Sequence, residues 1–515
     1  MAQAEDFIHG LSYNKPNLSS RELNVTDEKE KKNEKPEAEK KAPEEKSSVT
    51  KHSITIKGET LAYTVTAGTI VLKDEDEKEG EKPKASIFYI AYSKDGVEDP
   101  AERPITFSFN GGPGSSSIWL HLGVLGPKRV LMDDEGNPPA PPYKLVPNDF
   151  TLLDKTDLVF IDPVSTGFSR AVPGEKADQF HEVKKDIESV GDFIRLWMTR
   201  NQRWASPKFL IGESYGTTRA AGLAGYLHQR HGMYLNGVML VSSILNFQTA
   251  YFHPGNDLPF ILFLPTYTAT AWYHNKLDKE LQKDLRKTLD EVEHFTMNEY
   301  TLALMQGSAL PAEEHKNIVE KLARYTGLSA DYIERTDLRI NIHRFCKELR
   351  RDEGLTVGRL DSRFTGFDHD SAGEATEMDP SYSAIHGPYG STLNDYVRRD
   401  LDFEFDLPYE ILAPIYLSWK YGDFENRYLN VAENLRQAFQ MHPALKVIVC
   451  NGYYDMATPY LATEYTFNHI GLPLEQRQNI SMTYYEAGHM MYLHIPSLKK
   501  LKADLDAFIA LATSS

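Results

Sequence analysis

The sequence predicts an α/β protein with a mostly parallel central sheet and an inserted, mainly helical cap domain. Short apolar runs alternate with helical patterns along most of the chain, and the stretch 250–402 interrupts that alternation with long helical patterns of its own. Strands and helices in alternation are typical of a parallel sheet covered by helices. The predicted order is a disordered charged leader (1–50), a first core part (51–249), the cap insertion (250–402) and a second core part (403–515).

Composition places the chain among folded proteins and narrows its partners. Of the 515 residues, 41% are hydrophobic and 25% are charged, which is near the globular average. Lys and Arg number 57 and Asp and Glu number 74, so the formal net charge is −17. A strongly negative protein repels phosphate backbones and anionic membrane surfaces, and no apolar run is long enough to cross a bilayer. We therefore expect neither nucleic acid nor a membrane as a partner.

The N-terminal region is predicted to contain the charged leader and then an antiparallel edge. Residues 27–46 hold eight acidic and seven basic side chains and almost nothing apolar, so they cannot bury enough surface to offset chain entropy. The segments 53–56 and 61–65 alternate in polarity as half-buried strands do. A second charged stretch, 74–84, is predicted to be a loop between hairpins.

Six apolar runs are candidate buried strands of the parallel sheet. They are 105–110, 157–162, 208–211, 238–241, 446–450 and 480–485. Between two of them, apolar side chains recur at spacings of three and four from Phe180 to Trp197, which places an apolar stripe on a helix against the sheet. Within the insertion, 278–300 and 313–325 have helical patterns, and 361–390 is loop-rich.

Two cysteines, Cys346 and Cys450, exclude a disulfide framework and a four-thiolate zinc site. One bridge stays open arithmetically, although two buried free thiols are the simpler interpretation. The histidines and cysteines show no metal-ligand spacing, so we expect neither a metal nor another cofactor. The N-terminus lacks the pattern of a secretory signal, yet residues 2–4 resemble the cleavage site that such a signal leaves behind. On that ground we expect a periplasmic or secreted location.

A candidate nucleophile lies where one apolar run ends. The segment Gly212-Glu213-Ser214-Tyr215-Gly216 follows a predicted strand and precedes a helix rich in small residues. A nucleophile on a sharp strand-to-helix turn needs glycine on both sides, because the close helix–strand approach leaves no room for Cβ atoms. The N-terminus of the following helix also provides free N–H groups and partial positive charge where an oxyanion forms. We therefore predict that Ser214 is a nucleophile.

A serine hydroxyl needs a base, and two later loops supply a carboxylate and an imidazole. Asp455 follows the apolar run 446–450, and His489 follows 480–485. Both therefore lie on loops at the carboxyl ends of strands, where an open α/β sheet places its sites. Serine, aspartate and histidine in that chain order are typical of the α/β-hydrolase fold.

One further loop completes a family resemblance. The segment Asn110-Gly111-Gly112-Pro113-Gly114-Ser115-Ser116-Ser117 follows a predicted strand and is rich in backbone donors. Together with 162–169, 212–216 and the Asp455 and His489 loops, it closely resembles the serine carboxypeptidase family from about residue 107 to 492. We expect a bacterial-type member of that family.

The resemblance implies release of C-terminal residues from peptides through an acyl-enzyme. It makes Ser214 the nucleophile, His489 the base and then the acid, and Asp455 the residue that orients the imidazole and supports its charged form. The backbone N–H groups of Gly112 and Tyr215 would form the oxyanion hole. The implied partner is a peptide substrate, and the sequence leaves the oligomeric state open between a monomer and a homodimer.

The resemblance also implies a clamp for the substrate's terminal carboxylate, made by Asn110, Gly111 and Glu213. One carboxylate accepts a hydrogen bond from another only when they share a proton, and the family has a second glutamate for this purpose. Val124 takes that glutamate's place here. Because this protein lacks the glutamate pair, we expect its pH optimum to be less acidic than that of carboxypeptidases that retain the pair. Basic residues are alternative partners for the carboxylate; the candidates are Lys128, Arg129, Arg219 and Arg363.

Three functions follow from these residues. A serine exopeptidase is favoured by the order of the three catalytic candidates and by the Asn-Gly-Gly loop. An acyltransferase or esterase uses the same acyl-enzyme and differs only in the acceptor. A binding scaffold without catalysis is the third interpretation, and the intact serine, aspartate and histidine loops argue against it.

Overall fold

The computed structural model describes residues 44–76 and 80–514, and the fold rests on one ten-stranded sheet. Most of the expected leader 1–50 lies outside the described residues. Its predicted end is wrong, because Ser47–Ile56 forms the first strand and pairs with the second from Ser47 opposite Gly68 to Ile56 opposite Glu59. Backbone pairing along a neighbouring strand thus recruits residues whose composition alone indicated disorder.

Strands occur along most of the described chain. They are β1 (Ser47–Ile56), β2 (Glu59–Asp76), β3 (Gly80–Lys94), β4 (Ile105–Phe109), β5 (Lys128–Val130), β6 (Leu145–Pro147), β7 (Asp157–Ile161), β8 (Arg170–Ala171), β9 (Lys208–Ser214), β10 (Gly237–Ser243), β11 (Thr356–Val357), β12 (Thr365–Gly366), β13 (Lys446–Gly452) and β14 (Ile480–Tyr485). All six predicted apolar runs form strands of the main sheet.

Helices lie between the strands and throughout the insertion. They are α1 (Ile118–Leu120), α2 (Val183–Arg200), α3 (Tyr215–His231), α4 (Leu258–Tyr273), α5 (Leu285–Phe295), α6 (Thr301–Gln306), α7 (Ala312–Thr326), α8 (Ala330–Arg335), α9 (Ile342–Glu348), α10 (Pro380–Arg399), α11 (Ala432–Met441), α12 (Tyr460–Asn468), α13 (Leu474–Arg477) and α14 (Ile495–Thr513).

The strand order in the main sheet is β1-β2-β3-β7-β4-β9-β10-β13-β14, with β8 paired to β3. From β7 to β14 every neighbouring pair is parallel, and β1, β2 and β3 form the antiparallel edge. This arrangement confirms the predicted α/β class with a mostly parallel central sheet. Because β9, β13 and β14 are parallel, the loops that follow them lie at the same edge of the sheet.

Where the structure describes it, the charged stretch 74–84 is not the predicted loop; residues 77–79 lie outside the described residues. β2 runs to Asp76 and β3 begins at Gly80, and the two strands stay paired up to that end. The charged side chains of Lys73, Asp74, Glu75 and Glu81 are exposed, and Lys73 pairs with Glu81 at 2.9 Å across the hairpin. Where both faces of a strand are open to water, its sequence does not need to alternate between apolar and polar residues. Such a sequence resembles that of a loop.

Two apolar clusters cover the two faces of the sheet, and a third belongs to the insertion. Successive side chains of a strand point to opposite faces, so Phe209 and Ile211 of β9 lie in one cluster and Leu210 in the other. Helices α1, α10 and α14 cover the face that carries Phe209 and Ile211. Helices α2, α3 and α11 cover the opposite face, which carries Leu210. Helices α4 to α9 pack around a third cluster.

The predicted end of the cap at 402 differs from the packing. Helix α10 contributes Ile385, Tyr389 and Leu393 to the cluster on the sheet, not to the cluster of the insertion. The helical insertion with its own core therefore ends before α10, and its helices also contact Tyr454 and Met456 of the loop after β13. The sequence pattern shows that a helix has an apolar face, but it does not show which cluster that face will pack against.

No helix among residues 44–76 and 80–514 is long and apolar enough to cross a membrane. In the same residues Cys346 and Cys450 are both buried free thiols, so the bridge that the sequence left open is not formed.

A buried ion pair joins α2 to α3 behind the sheet. The side chain of Arg219 is 1% exposed, and its guanidinium donates to both carboxylate oxygens of Asp186, at 2.8 and 3.0 Å. It also donates to the carbonyl of Asn110 at 2.6 Å. Removing one partner of such a pair leaves an uncompensated buried charge.

We therefore expect Arg219→Met to lower the free energy of unfolding by about 3–5 kcal/mol, which a shifted denaturation midpoint would record. The control is Arg335→Met, which removes an exposed arginine of α8 and should change stability by less than about 1 kcal/mol. Equal midpoints for the two variants would contradict the structural role assigned to the buried pair.

Candidate active site

Ser214 occupies a strained turn between β9 and α3. Its φ is 59° and its ψ is −131°, a conformation that costs free energy for a residue with a Cβ. The flanking glycines allow it: a Cβ on Gly212 would lie 2.1 Å from the carbonyl of Gly216, and one on Gly216 would lie 2.7 Å from the carbonyl of Phe109. The predicted strand–turn–helix context is therefore present, and Ser214 lines a cavity.

The structure brings Asp455 and His489 together. His489 Nδ1–H donates to Asp455 Oδ2 at 2.8 Å, and the Asp455 side chain is fully buried. Asp455 also accepts the backbone N–H groups of Ala457 and Thr458 at 2.8 and 3.0 Å, and the Thr458 hydroxyl at 2.7 Å. A carboxylate without solvent thus has four donors, which keep it in place as an ordered acceptor for the imidazole.

The charge state of His489 depends on these neighbours. Burial disfavours the imidazolium, but the negative charge and the hydrogen bond of Asp455, with a contribution from Glu213, hold the pKa of His489 above its ordinary value of 6.5. His489 lines the same cavity as Ser214. The arrangement can accept a proton and stabilise the resulting positive charge.

The glycine loop after β4 lies against the N-terminus of α3. A Cβ on Gly111 would lie 2.4 Å from the backbone nitrogen of Tyr215, and Gly112 has a φ of 103° that favours glycine. Gly111 and Gly112 both line the cavity. The two residues expected to supply oxyanion donors, Gly112 and Tyr215, therefore belong to segments in direct contact.

Asn110 and Glu213 form a buried polar network with a third residue. Asn110 Nδ2 donates to Glu213 Oε1 at 2.9 Å, and the hydroxyl of Tyr492 donates to Glu213 Oε2 at 2.6 Å. Burial raises the pKa of Glu213 to about 7, although the nearby His489 and the hydrogen bonds from Tyr492 and Asn110 act against the shift. Tyr492 thus takes up a carboxylate oxygen of Glu213, whereas Val124 is a buried apolar side chain.

Sequence reasoning missed Tyr492, and it also missed a segment of the insertion that touches the loops carrying Asp455 and His489. The carbonyl of Leu360 accepts the N–H of His489 at 2.7 Å, and Asp361 Oδ2 accepts the N–H of Gly488 at 3.1 Å. The carbonyl of Arg359 accepts the N–H of Met456 at 3.1 Å. Residues 359–361 therefore fix the backbones beside Asp455 and His489, and no local sequence signal marks them.

The basic residues named as alternative carboxylate partners are engaged elsewhere. Lys128 pairs with Asp400, and Arg219 with Asp186. Arg363 pairs with Asp361 at 2.8 Å and is 3% exposed. Arg129 donates to the carbonyl of Val130, and none of the four lines the cavity beside Ser214. The expectation that one of them rebuilds the clamp is not met.

The cavity beside Ser214 has a volume of about 100 Å³. Its walls combine the expected residues with others from the insertion and α10. They are Asn110, Gly111, Gly112, Ser115, Trp119, Glu213, Ser214, Arg359, Leu360, Asp379, Tyr382, Ile385, Leu412, Ala457, His489 and Met490. Among residues 44–76 and 80–514, no group of three or more His, Cys, Asp or Glu is arranged to hold a metal ion.

The sheet order and the turn at Ser214 define an α/β-hydrolase fold. A family model described as serine carboxypeptidase matches residues 77–497, which is most of the chain. The chain therefore belongs to the serine carboxypeptidase family.

Similar proteins come from a plant and from yeast. Serine carboxypeptidase-like 5 of Arabidopsis thaliana is 31% identical over 141 residues, 26% of this chain and 30% of the relative. Pheromone-processing carboxypeptidase KEX1 of Saccharomyces cerevisiae is 36% identical over 157 residues, 29% of this chain and 20% of the relative. These matches span less than a third of the relatives' length, and their sources give no support to a bacterial type.

One solved structure shares the fold across most of both chains. The crystal structure of the KEX1 prohormone-processing carboxypeptidase from Saccharomyces cerevisiae covers 86% of this chain and 91% of that one. Its TM-score is 0.53 and its sequence identity is 17%, so the likeness concerns the fold.

The glycines around Ser214 allow a direct test of the turn. We expect Gly212→Ala to abolish labelling of Ser214 by a fluorophosphonate, because the added Cβ would overlap the carbonyl of Gly216 and displace the turn. Labelling is measured by mass spectrometry of the modified peptide. The control is Gly225→Ala on α3, where the nearest atom to a new Cβ lies 3.3 Å away, and it should label normally. Labelling of both variants at the wild-type rate would be the contrary result.

Proposed function

We propose that this protein is a serine-type carboxypeptidase that releases C-terminal residues from peptides. The observation that carries the proposal is the buried hydrogen bond between Asp455 and His489, in a cavity that Ser214 also lines. Membership in the serine carboxypeptidase family supports the choice of peptide substrates. The network of Asn110 and Glu213 in the same cavity supports cleavage at the chain end.

In the proposed reaction Ser214 Oγ attacks the last peptide carbonyl while His489 Nε2 takes the hydroxyl proton. Asp455 keeps the Nδ1–H of the imidazole bonded and balances the positive charge that develops. The backbone N–H groups of Gly112 and Tyr215 donate to the oxyanion of the tetrahedral intermediate. His489 then protonates the leaving amine, the C–N bond breaks, and the remaining peptide is an ester of Ser214. Water, deprotonated by His489, hydrolyses that ester and restores the enzyme.

The substrate carboxylate would lie near Asn110, Gly111 and Glu213. Both oxygens of Glu213 already have a partner, Asn110 for one and Tyr492 for the other. With a pKa raised to about 7, Glu213 is mainly neutral below that pH and then carries no charge that repels the substrate. A neutral Glu213 therefore favours binding of an anionic chain end.

An acyltransferase or esterase with the same residues is the second candidate. The observation that favours it is Val124, an apolar side chain where the family has the partner of the clamp glutamate. A weaker clamp would admit acyl donors without a carboxylate, while the acylation step on Ser214 would be the same.

We expect wild-type protein to release free C-terminal amino acids from N-blocked dipeptides, and Ser214→Ala to lower kcat by about 10⁴-fold or more, as loss of a triad member does in other serine hydrolases. Products are identified by chromatography and mass spectrometry. The matched control is Ser165→Ala, a serine that hydrogen-bonds His181 outside the cavity and should leave kcat within about twofold.

The same assay separates the two candidates. Turnover of blocked esters but not of blocked dipeptides, or transfer of the acyl group to an added alcohol instead of water, would favour the esterase or acyltransferase. Activity that survives in Ser214→Ala would exclude both.

The pH profile of kcat/KM should have its optimum near neutral pH. His489 acts as a base only when neutral, and its pKa is raised above 6.5, so activity should fall as pH drops through that range. Above about pH 7 Glu213 loses its proton, and its negative charge should then raise KM for an anionic substrate. The measurement is kcat/KM on a blocked dipeptide between pH 4 and 9.

Labelling by a fluorophosphonate is the control for this profile. The labelling requires Ser214 and His489, but the reagent has no carboxylate that Glu213 could repel. It should lose rate at acid pH and keep it at alkaline pH. A kcat/KM maximum near about pH 4–5, where unperturbed carboxyl groups titrate, would refute the expected profile.

A periplasmic or secreted location is also proposed. Its support is membership in the serine carboxypeptidase family. The location is tested by fractionation and N-terminal sequencing of the protein from its native source. An uncleaved protein found in the cytosol would exclude export.

A further inference from the structure

We propose that Tyr492 is a positioning residue that holds Glu213 in the orientation that receives the C-terminal carboxylate of a peptide. The inference rests on the proposed carboxypeptidase function and assigns the partner of the clamp glutamate. Tyr492 is not among the described residues that line the cavity beside Ser214, so it acts through Glu213 and not by contact with the substrate.

Glu213 accepts a hydrogen bond on each of its two oxygens. Oε1 accepts from Asn110 Nδ2 at 2.9 Å, and Oε2 accepts from the Tyr492 hydroxyl at 2.6 Å. All three residues are at most 3% exposed, so both bonds are shielded from water. Loss of a buried donor leaves its acceptor unsatisfied, which costs more than loss of an exposed one. The two bonds therefore restrict how the Glu213 carboxyl group can turn.

The surroundings determine which group donates in each bond. The side-chain oxygen of Asn110 already accepts the backbone N–H of Leu120 at 3.1 Å, which leaves the amide nitrogen to donate to Glu213. Burial and the negative charge of Glu213 raise the pKa of Tyr492 well above its ordinary value of 10. The tyrosine hydroxyl thus keeps its proton near neutral pH, and Glu213 has a donor on each oxygen.

The ring of Tyr492 has room beside Glu213 because residue 123 is a glycine. A Cβ on Gly123 would lie 2.3 Å from Cε2 of that ring and 2.5 Å from Cδ2. The next residue, Val124, is buried and apolar, and its side chain cannot donate a hydrogen bond. Tyr492 is therefore the donor to Glu213 in a protein that has valine in place of the partner glutamate.

A tyrosine partner suits a clamp that works near neutral pH. A carboxyl partner donates only while it is protonated, and two adjacent carboxyl groups titrate as a coupled pair. A tyrosine hydroxyl donates whether Glu213 is neutral or ionised, so the clamp depends on one titration. Neutral Glu213 has a proton of its own, which it can donate to the anionic chain end while the bond from Tyr492 keeps the carboxyl group in place.

Other titratable groups interact with Glu213 or share its cavity. They come from the loops after β13 and β14, from the insertion and from α10 with its preceding residue, and they are Asp455, His489, Arg359, Asp379 and Tyr389. Burial raises the pKa of Glu213 to about 7, whereas the hydrogen bond from Tyr492 acts to lower it. Removing the Tyr492 hydroxyl, with the other groups unchanged, should therefore raise the pKa of Glu213 further.

The kinetic test is Tyr492→Phe, which removes the hydroxyl and keeps the ring beside Gly123. On a blocked dipeptide with Glu213 neutral, we expect KM to rise about 3- to 30-fold at nearly constant kcat, because a bond that orients Glu213 is lost. The alkaline rise in KM should move to higher pH. The ethyl ester of the blocked amino acid has no chain-end carboxylate, and its turnover should stay within about twofold, which also shows that the variant is folded.

The matched control is Tyr389→Phe. Tyr389 of α10 is equally buried, and its hydroxyl also lies beside Gly123, 3.0 Å from a Cβ placed there, but the printed-sequence neighbours that donate to Glu213 are Asn110 and Tyr492. This control should leave KM and its pH dependence unchanged. Equal losses on dipeptide and ester in Tyr492→Phe, an unchanged KM, or the same rise in KM in Tyr389→Phe would overturn the proposal.

A double-mutant cycle tests whether Tyr492 acts through Glu213. We expect Glu213→Ala to raise KM on the dipeptide, and Tyr492→Phe to add less than about twofold in that background, because the group it positions is absent. Effects of the two changes that multiply in full would overturn the proposal, since Tyr492 would then act independently of Glu213.

Binding and titration measured in Ser214→Ala keep the inference separate from the proposed function. Calorimetry should show at least tenfold tighter binding of a blocked dipeptide than of its C-terminal amide, and the added change Tyr492→Phe should lower that ratio at least threefold. The infrared band of protonated Glu213, assigned by its loss in Glu213→Gln, should persist to higher pH in Tyr492→Phe.

A binding ratio or an infrared titration that Tyr492→Phe leaves unchanged would overturn the role of Tyr492. A wild-type protein that releases no amino acid, while both measurements depend on Tyr492 as expected, contradicts the proposed function and not the inference.

Discussion

The buried hydrogen bond between Asp455 and His489 is the interaction on which the rest of the site depends. A carboxylate without solvent is stable only when each oxygen is bonded, and the loop after β13 supplies those donors from Ala457 and Thr458. The loop after β14 supplies the imidazole, and parallel pairing of β13 with β14 keeps the two loops adjacent. The pairing of these two strands therefore sets the distance between Asp455 and His489.

The insertion takes part in this constraint. Residues 359–361 hydrogen-bond the backbones beside both Asp455 and His489, so the two loops are held from the sheet below and from the insertion above. An element that composition marks as a cap is in this way coupled to the geometry of the catalytic residues.

Prediction from sequence worked where a local rule was sufficient. The turn at Ser214 was recognisable because glycine on both sides is a local steric requirement, and the six runs were recognisable because strands of a covered parallel sheet are largely apolar. It failed where pairing or packing partners decide. Residues 74–76 and 80–84 are in strands only because β2 and β3 pair with each other, and α10 belongs to the sheet cluster only because of what it packs against.

Linear order was thus enough to establish the α/β-hydrolase class, the family and the three catalytic candidates Ser214, Asp455 and His489, because motifs and their succession are properties of the chain itself. The partners of the charged side chains were decided in three dimensions. Arg219 and Arg363 are paired with buried carboxylates, and Tyr492 binds Glu213. A charged side chain acquires a role from the partners around it, and those partners come from distant parts of the chain that only the folded structure brings together.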